Sequence, residues 1–306
     1  YEDLRTGETG WIQAKETIVA TGGYARNDDA LNDDRPEVQD LLVLYETHHF
    51  SDGGGLNLFR DAAAKQQNTG AYGLYVHAMQ DWREGMEREA LWMPHIRQSL
   101  IVDLNGKRVG NEIESQSFEL QNKLLSAPQK RLVAIFPEKV WVPQPLIIPG
   151  YNLEKPEEKN ILSTRDALEQ GAAFEHFSVD EIADQWSMDL DILQHTLDVY
   201  EQAAAAGVDD EFGKTAYDLV SFQNGAFFSV EIHLGAAKAF GGAELDEKGR
   251  VLDENGEAIP GLWAAGEAAG MLGTPAVGQG FSGSVTACYL TGRIAGQNAA
   301  IQALAD

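Results

Sequence analysis

The chain has 306 residues, 43% of them hydrophobic, enough for a sizeable core and for two domains or one large divided one. Its 48 acids against 23 bases give a formal net charge of −25, a surface that repels nucleic acid and anionic membrane. No apolar run reaches the roughly 18 residues of a membrane span, and the polar opening "YEDLRTGETG" reads as neither a signal nor a transit peptide. The localisation is left open, with the cytoplasm slightly favoured. One cysteine, Cys288, excludes an internal disulfide and a multi-cysteine metal site, and its apolar setting "TACYL" predicts a buried small residue. The adjacent pair His48-His49 lacks helical ligand spacing, so no metal is expected.

In chain order, "RTGETG" reads as a hairpin loop, and "WIQAKETIVATGGYA" (11–25) as a strand ending in a Gly-Gly turn. An irregular acidic stretch follows. "SDGGGLNLFRDAAAKQQ" then gives a glycine-rich helix start at Ser51 and Asp52, with Leu56, Phe59 and Ala63 expected on one face. Backbone N–H groups at such a start can approach an anion or a ring closely. "SLIVDLNGKRVGNE" (99–112) predicts a hairpin turning at Asn105-Gly106, and "KRLVAIFP" (130–137) a buried strand. Residues 143–159 are polar and rich in proline, which predicts a surface loop.

Ser178 with Glu181 forms a capping-box pattern, and Ser187 predicts a second helix start. Leu190, Leu193, Leu197 and Tyr200 then make a helical core stripe that Gly207 ends. Turns are expected at Lys248-Gly249 and Asn255-Gly256, and a strand through Leu262 and Ala264. A final small-residue helix carries Gly292 and Gly296, expected to pack closely on a neighbour. The order is a sheet piece, a mixed insert, then a sheet piece and helix, which predicts one domain interrupted by another.

Four separated motifs, "AKETIVATGGYARN", "IVDLNGKRVGNE", "IPGLWAAGEAAG" and "GSVTACYLTGRIAGQNAA", resemble the FAD-dependent oxidoreductases of the fumarate reductase/succinate dehydrogenase flavoprotein superfamily, which includes urocanate reductases and 3-oxosteroid dehydrogenases. The resemblance covers nearly the whole chain. It includes the helical part of that family's capping domain, closing in "D-x-x-F-G-R/K" as Asp209 to Lys214. It implies an α/β fold: an incomplete Rossmann-like FAD-binding domain (1–76 and 233–306) interrupted by an α+β capping domain (77–232). The cofactor implied is FAD. Thr21, Gly22 and Gly23 match the strand end that passes the cofactor, and Asp52 and Gly53 resemble the family's "G-D-G" helix start with extra glycines. Ser282, Gly283, Ser284 and Val285 match the segment whose backbone N–H groups lie by the flavin ring.

Glu267, after Gly266, matches the acid that holds the ribityl hydroxyls; a carboxylate can accept more than one such bond. Locally it also reads as an acid favoured at a helix N-terminus.

Two departures follow from the same resemblance. The family binds the ADP part of FAD with a strand–GxGxxG–helix unit that this sequence does not contain, so the missing N-terminal half, or a partner subunit supplying it, is expected. The dicarboxylate-binding groups of fumarate reductases also lack matches. Phe240-Gly241-Gly242, preceded by Lys238 and Ala239, stands where the family has a histidine before its "M-G-G" step. Gln279 stands near the clamping arginine, and Lys139 is the nearest base to the proton-donating one. One lysine does not replace bidentate arginines, which disfavours fumarate.

The candidate catalytic groups are His77, near the position of the family's active-site histidine; His95 and Arg97, before the hairpin; and His233 and Lys238, at the return to the FAD domain. Arg108 and Glu112 take a structural or a flavin-side role. The expected activity is hydride transfer between flavin N5 and an activated C–C or C=C bond of a small organic substrate, with an electron donor that the sequence does not name. A 3-oxosteroid-dehydrogenase-like enzyme and a non-catalytic chain that needs a partner to bind FAD are the alternatives.

Overall fold

The computed structural model describes residues 1–114, 118–148, 161–270 and 284–305. Strand β1 (Thr17–Val19) is short, because the chain before it is open to solvent, with Trp11 fully exposed. The acidic stretch expected to be irregular contains helix α1 (Asp28–Asp34). Asn27 caps it, its side chain accepting the Ala30 N–H at 2.9 Å, and Ala30 and Leu31 face the core. Strand β2 (Val43–Tyr45) is fully buried.

Helix α2 (Gly54–Asp61) starts at Gly53, whose φ of +86° suits glycine. Leu56 and Phe59 face inward as expected; Ala63 does not share their face, because the helix has ended and its φ is +52°.

Strands β3 (Gln66–Gln67), β4 (Tyr72–Gln80), β5 (Ala90–Trp92) and β6 (Leu100–Asp103) follow, then α3 (Phe118–Ser126), β7 (Leu132–Pro137) and α4 (Glu138–Trp141). The loop expected over 143–159 opens with β8 (Pro145–Ile147), and 149–160 lie outside the described residues. Next come β9 (Ile161–Ser163), α5 (Thr164–Glu169), β10 (Phe174–His176), α6 (Val179–Trp186) and α7 (Leu190–Ala206).

The capping box does not form as expected. Glu181 accepts the Phe177 N–H at 2.7 Å, whereas the Ser178 hydroxyl caps nothing. Ser187 closes α6 in a left-handed conformation rather than opening a helix; Asp189 caps α7 through the Ile192 N–H. The stripe of Leu193, Leu197 and Tyr200 is buried as expected, and Leu190 stays exposed.

The chain ends with β11 (Phe227–Ala239), β12 (Gly242–Ala243), β13 (Arg250–Leu252), β14 (Ala258–Ala264) and α8 (Ser284–Ala305). Among the described residues, a three-stranded sheet has the order β1-β14-β13, with β1 and β14 parallel. A nine-stranded sheet runs β6-β7-β11-β4-β5-β8-β9, with β2 and β10 also on β11. Strand β11 is the spine: its first half pairs β7 and its second half pairs β4, both antiparallel. The expected domain boundaries at 76/77 and 232/233 therefore fall inside β4 and β11, two paired strands.

One core packs this sheet against α1 and α3; a second covers β6 and β7 with α6 and α7. Thr291, Ala295 and Ala299 bury one face of α8, spaced four residues apart. Gly292 and Gly296 lie off that face with open space beside them, so they mediate no close packing among the described residues. Cys288 is exposed, not buried as its apolar neighbours suggested, although it shares the face of α8 that carries Thr291, Ala295 and Ala299 and its Sγ lies near Gly266.

Candidate functional site

Four glycine-bearing turns from distant parts of the sequence converge. After β1, Gly22 takes a φ of +82°, and Gly23 lies so close to Glu267 that an added Cβ would strike its carboxyl group. At the start of α2, Asp52 Oδ1 accepts the Gly54 N–H at 3.0 Å, and Asn27 Nδ2 bonds the Asp52 carbonyl at 2.9 Å. Gly55 packs on the Thr21 hydroxyl with no room for a side chain. Before β12, Gly241 presses on the Tyr24 hydroxyl and Gly242 on the Ala268 backbone. After β14, Gly266 (φ +69°) opens the 3-10 turn Gly266–Ala268, and its N–H bonds Thr291 Oγ1 at 2.9 Å.

The seam between these turns holds only about 10 Å³. It is thus a close-packed floor, and a bound molecule would lie along its rim. Glycine at each turn brings backbone to that rim without side chains, which fits the approach of a large planar or phosphorylated group.

Glu267 stands at the rim, half-buried. Desolvation pushes its carboxyl group above the usual carboxylate range, against the opposing pull of the Ala239 backbone and the Lys238 charge. A buried acid not fully compensated by its own chain is suited to accept hydrogen bonds from hydroxyls. Lys238, near the end of β11, donates to Ser284 Oγ at 2.9 Å, which ties the first turn of α8 to the same rim. Val285, next in that turn, is exposed, and Ser282 and Gly283 lie outside the described residues, as does Gln279.

His77 lies further along the sheet, on β4, at the level of Leu234 and His233. Its ring centroid is 5.5 Å from that of Tyr75 and 6.2 Å from that of Trp92. The Tyr75 hydroxyl reaches back over Gly73, the residue paired with Lys238. His77 Nε2 lies 3.0 Å from Oε1 of the fully buried Glu46. Glu46 and Tyr75 were not singled out from the sequence. The i, i+2 pair in "LYVHAM" signals Tyr75 once the strand is known, and the glycine of "IHLGAAK" marks the space that Glu46 fills.

The other candidates lie elsewhere. His233 faces a separate cavity of about 530 Å³ with Arg131, Trp186 and Glu231, and burial pushes its imidazole down. His95 is exposed on the turn before β6, its N–H bonded to the Gln144 side chain. Arg97 is held by Asp218 at 2.9 Å. Lys139 lies in the short helix α4.

Arg108 and Glu112 belong to a buried ion cluster. Arg108 bonds Glu112 at 2.9 and 3.0 Å and Asp209 at 2.9 Å. Lys214 reaches Glu112, the Ser99 carbonyl and the Tyr200 hydroxyl. Every member is satisfied by the others or by backbone, which is a structural role.

Among the described residues no cluster of His, Cys, Asp or Glu could hold a metal ion, and no helix is long and apolar enough to cross a membrane.

The chain is 27% identical to the vinyl phenol reductase of Lactiplantibacillus plantarum, over 98% of its own length and 63% of the relative's. It is 24% identical to the NADH:fumarate oxidoreductase of Klebsiella pneumoniae, over 95% of the chain and 29% of the relative. Among solved structures, the 3-ketosteroid delta1-dehydrogenase of Sterolibacterium denitrificans superposes with a TM-score of 0.74 at 18% identity, covering 96% of this chain and 55% of that one. The chain therefore spans less than two thirds of each of these proteins, and it has the mixed α/β structure of a portion of the fumarate reductase and ketosteroid dehydrogenase flavoprotein fold. The family model described as "FAD binding domain" matches residues 1–282. The chain belongs to the FAD binding domain family, with homologues among the FAD-dependent reductases of the fumarate reductase superfamily.

Proposed function

We propose that this chain forms the flavin-side half of an FAD site and the substrate cleft of an oxidoreductase acting on an activated C=C or C–C bond. On this reading the three-stranded sheet and α8 belong to an FAD-binding unit, interrupted by a capping unit built on β11. The ADP half of the cofactor is held by a further segment or partner, as the greater length of the relatives suggests. The observation that carries the reading is Glu267, an acid only partly compensated by its surroundings at a rim of four glycine turns.

The residues present fit FAD. Glu267 would accept hydrogen bonds from the ribityl hydroxyls, Gly22 and Gly23 would admit the cofactor to the backbone, and the first turn of α8 at Ser284 and Val285 would serve the ring. When bound, FAD supplies a hydride to, or takes one from, one carbon of the substrate. Lys238 and His77 are the groups that hold the substrate and carry the proton for the neighbouring carbon. Tyr75 and Trp92 give the cleft aromatic walls.

The substrate is a small molecule other than a dicarboxylate. Arg26, Arg88, Arg97, Arg108 and Arg131 are each paired with an acid, and Glu46 and Glu267 make the cleft unfavourable for an anion. The similarity to a vinyl phenol reductase supports a vinyl phenol as the first substrate to try. A native protein that carries FAD and saturates a vinyl phenol faster than fumarate, given a reduced dye as donor, supports this function. Comparable turnover of fumarate contradicts it.

A further inference from the structure

Glu46 follows β2, and its side chain is fully buried. Its backbone N–H bonds the Ala236 carbonyl at 3.0 Å, which fixes it beside β11. Its carboxyl group lies over Gly235, where a Cβ would take the place of the carboxylate, so a glycine in the spine strand has cleared the space. Among the described residues, neither Glu46 oxygen accepts a well-aligned hydrogen bond, although a carboxylate buried in this way is costly. Burial and the Glu46 charge together push the Tyr75 phenol up.

The polar group that Glu46 faces is His77 Nε2, at 3.0 Å. His77 is the extra residue of a bulge: Val76 pairs with Leu234 and Ala78 with His233, leaving His77 outside the ladder. A bulge re-aims a side chain, and here it turns the imidazole toward Glu46 between the rings of Tyr75 and Trp92. A cleared glycine, a re-aimed histidine and an acid without other partners are three features on three separate strands or strand ends. Packing alone would favour an apolar residue in place of Glu46.

We propose that Glu46 is a positioning residue, which fixes the ring and tautomer of His77 so that Nε2 is held by the carboxylate and Nδ1 is presented to the substrate. The proposal deepens the function above and rests on its placing His77 in the reaction cleft. Histidine ligands and bases are commonly set in this manner by a carboxylate on the second ring nitrogen.

The test is the 15N NMR pattern of the His77 ring in flavin-free protein, for wild type, Glu46→Leu and Glu46→Gln. Wild type should show one dominant form with the proton on Nε2. Glu46→Leu should lose that preference, and Glu46→Gln, which keeps an acceptor oxygen, should retain it. In the native enzyme Glu46→Leu should lower kcat at least ~10-fold with KM and flavin absorbance little changed. An unchanged His77 pattern in Glu46→Leu overturns the proposal. Should Glu46→Leu not fold, a thermal double-mutant cycle of Glu46→Ala and His77→Phe replaces it: a non-additive result supports the contact, and an additive one overturns it. A pattern that responds to Glu46→Leu, together with full turnover in His77→Gln, keeps the positioning role and removes His77 from the proposed chemistry.

Discussion

Two groups of buried charge behave in opposite ways. The cluster of Arg108, Glu112, Asp209 and Lys214 closes on itself, each charge meeting a partner, a carbonyl or a backbone N–H. At the glycine rim, Glu267 is under-compensated, and on the neighbouring strands Glu46 has only a misaligned histidine. Self-satisfied charge stabilises and specifies a fold. Charge left unsatisfied costs stability, and a ligand that supplies the absent donors can recover that cost. On the function proposed above, the first group is architecture, and the second serves a ligand directly through Glu267 and indirectly through Glu46 and His77.

The largest way to break this comparison is in the cluster. Arg108→Ala leaves Glu112 and Asp209 buried without their guanidinium, and urea unfolding should show a loss of about 3–5 kcal/mol. A loss under about 1 kcal/mol would place the cluster among ion pairs of little consequence. Flavin content, measured on folded protein at low temperature, should be unaffected.

Next comes Glu267→Ala in the native protein. It removes an acceptor for hydroxyls and should weaken FAD binding by about 10- to 100-fold, read by flavin fluorescence on dilution. Unchanged affinity would remove Glu267 from the site.

A smaller effect is the pH response of Asp209. Burial alone would raise its carboxyl group, but the Arg108 guanidinium and the Lys214 and Phe212 N–H groups outweigh it and hold the group below its ordinary 3.8. Its stabilisation is therefore complete above pH 3.8 and is lost as pH falls through the lower folded value. Acid unfolding of wild type should steepen in that window, and Asp209→Asn should flatten it. Equal slopes would contradict the assignment.

Much of this was legible in the sequence because its signals are local. Gly53, Gly106 and Gly207 mark a helix start, a hairpin turn and a helix end from residue type alone, and each takes a positive φ. The rim was legible only through the resemblance of whole motifs, since nothing local links Gly23 to Glu267. The candidates diverged for the same reason. His77 and Lys238 lie on paired strands, about four residues apart along β11, whereas His233, on the same strand as Lys238, lines another cavity.

Glu46 was missed because an acid between Tyr45 and Thr47 has no local signature; its meaning depends on Gly235, far away in the chain and next to it in space. Helix α1 was missed because its composition, "DDALNDD", reads as solvated loop, while Asn27 and two inward residues suffice to hold it.

The most direct measurement is the thermal stability of Glu267→Gln against wild type, without and with FAD, from pH 4 to 8. Because burial raises the Glu267 carboxyl above its ordinary 4.5, its ionisation opposes folding, and flavin-free wild type should lose stability as pH rises from 4.5 through the raised value. The account predicts that flavin-free Glu267→Gln lacks this decline and melts higher than wild type at neutral pH, while gaining less from added FAD. A variant that melts lower without flavin and gains as much with it would contradict the claim that this acid is held unsatisfied for a ligand.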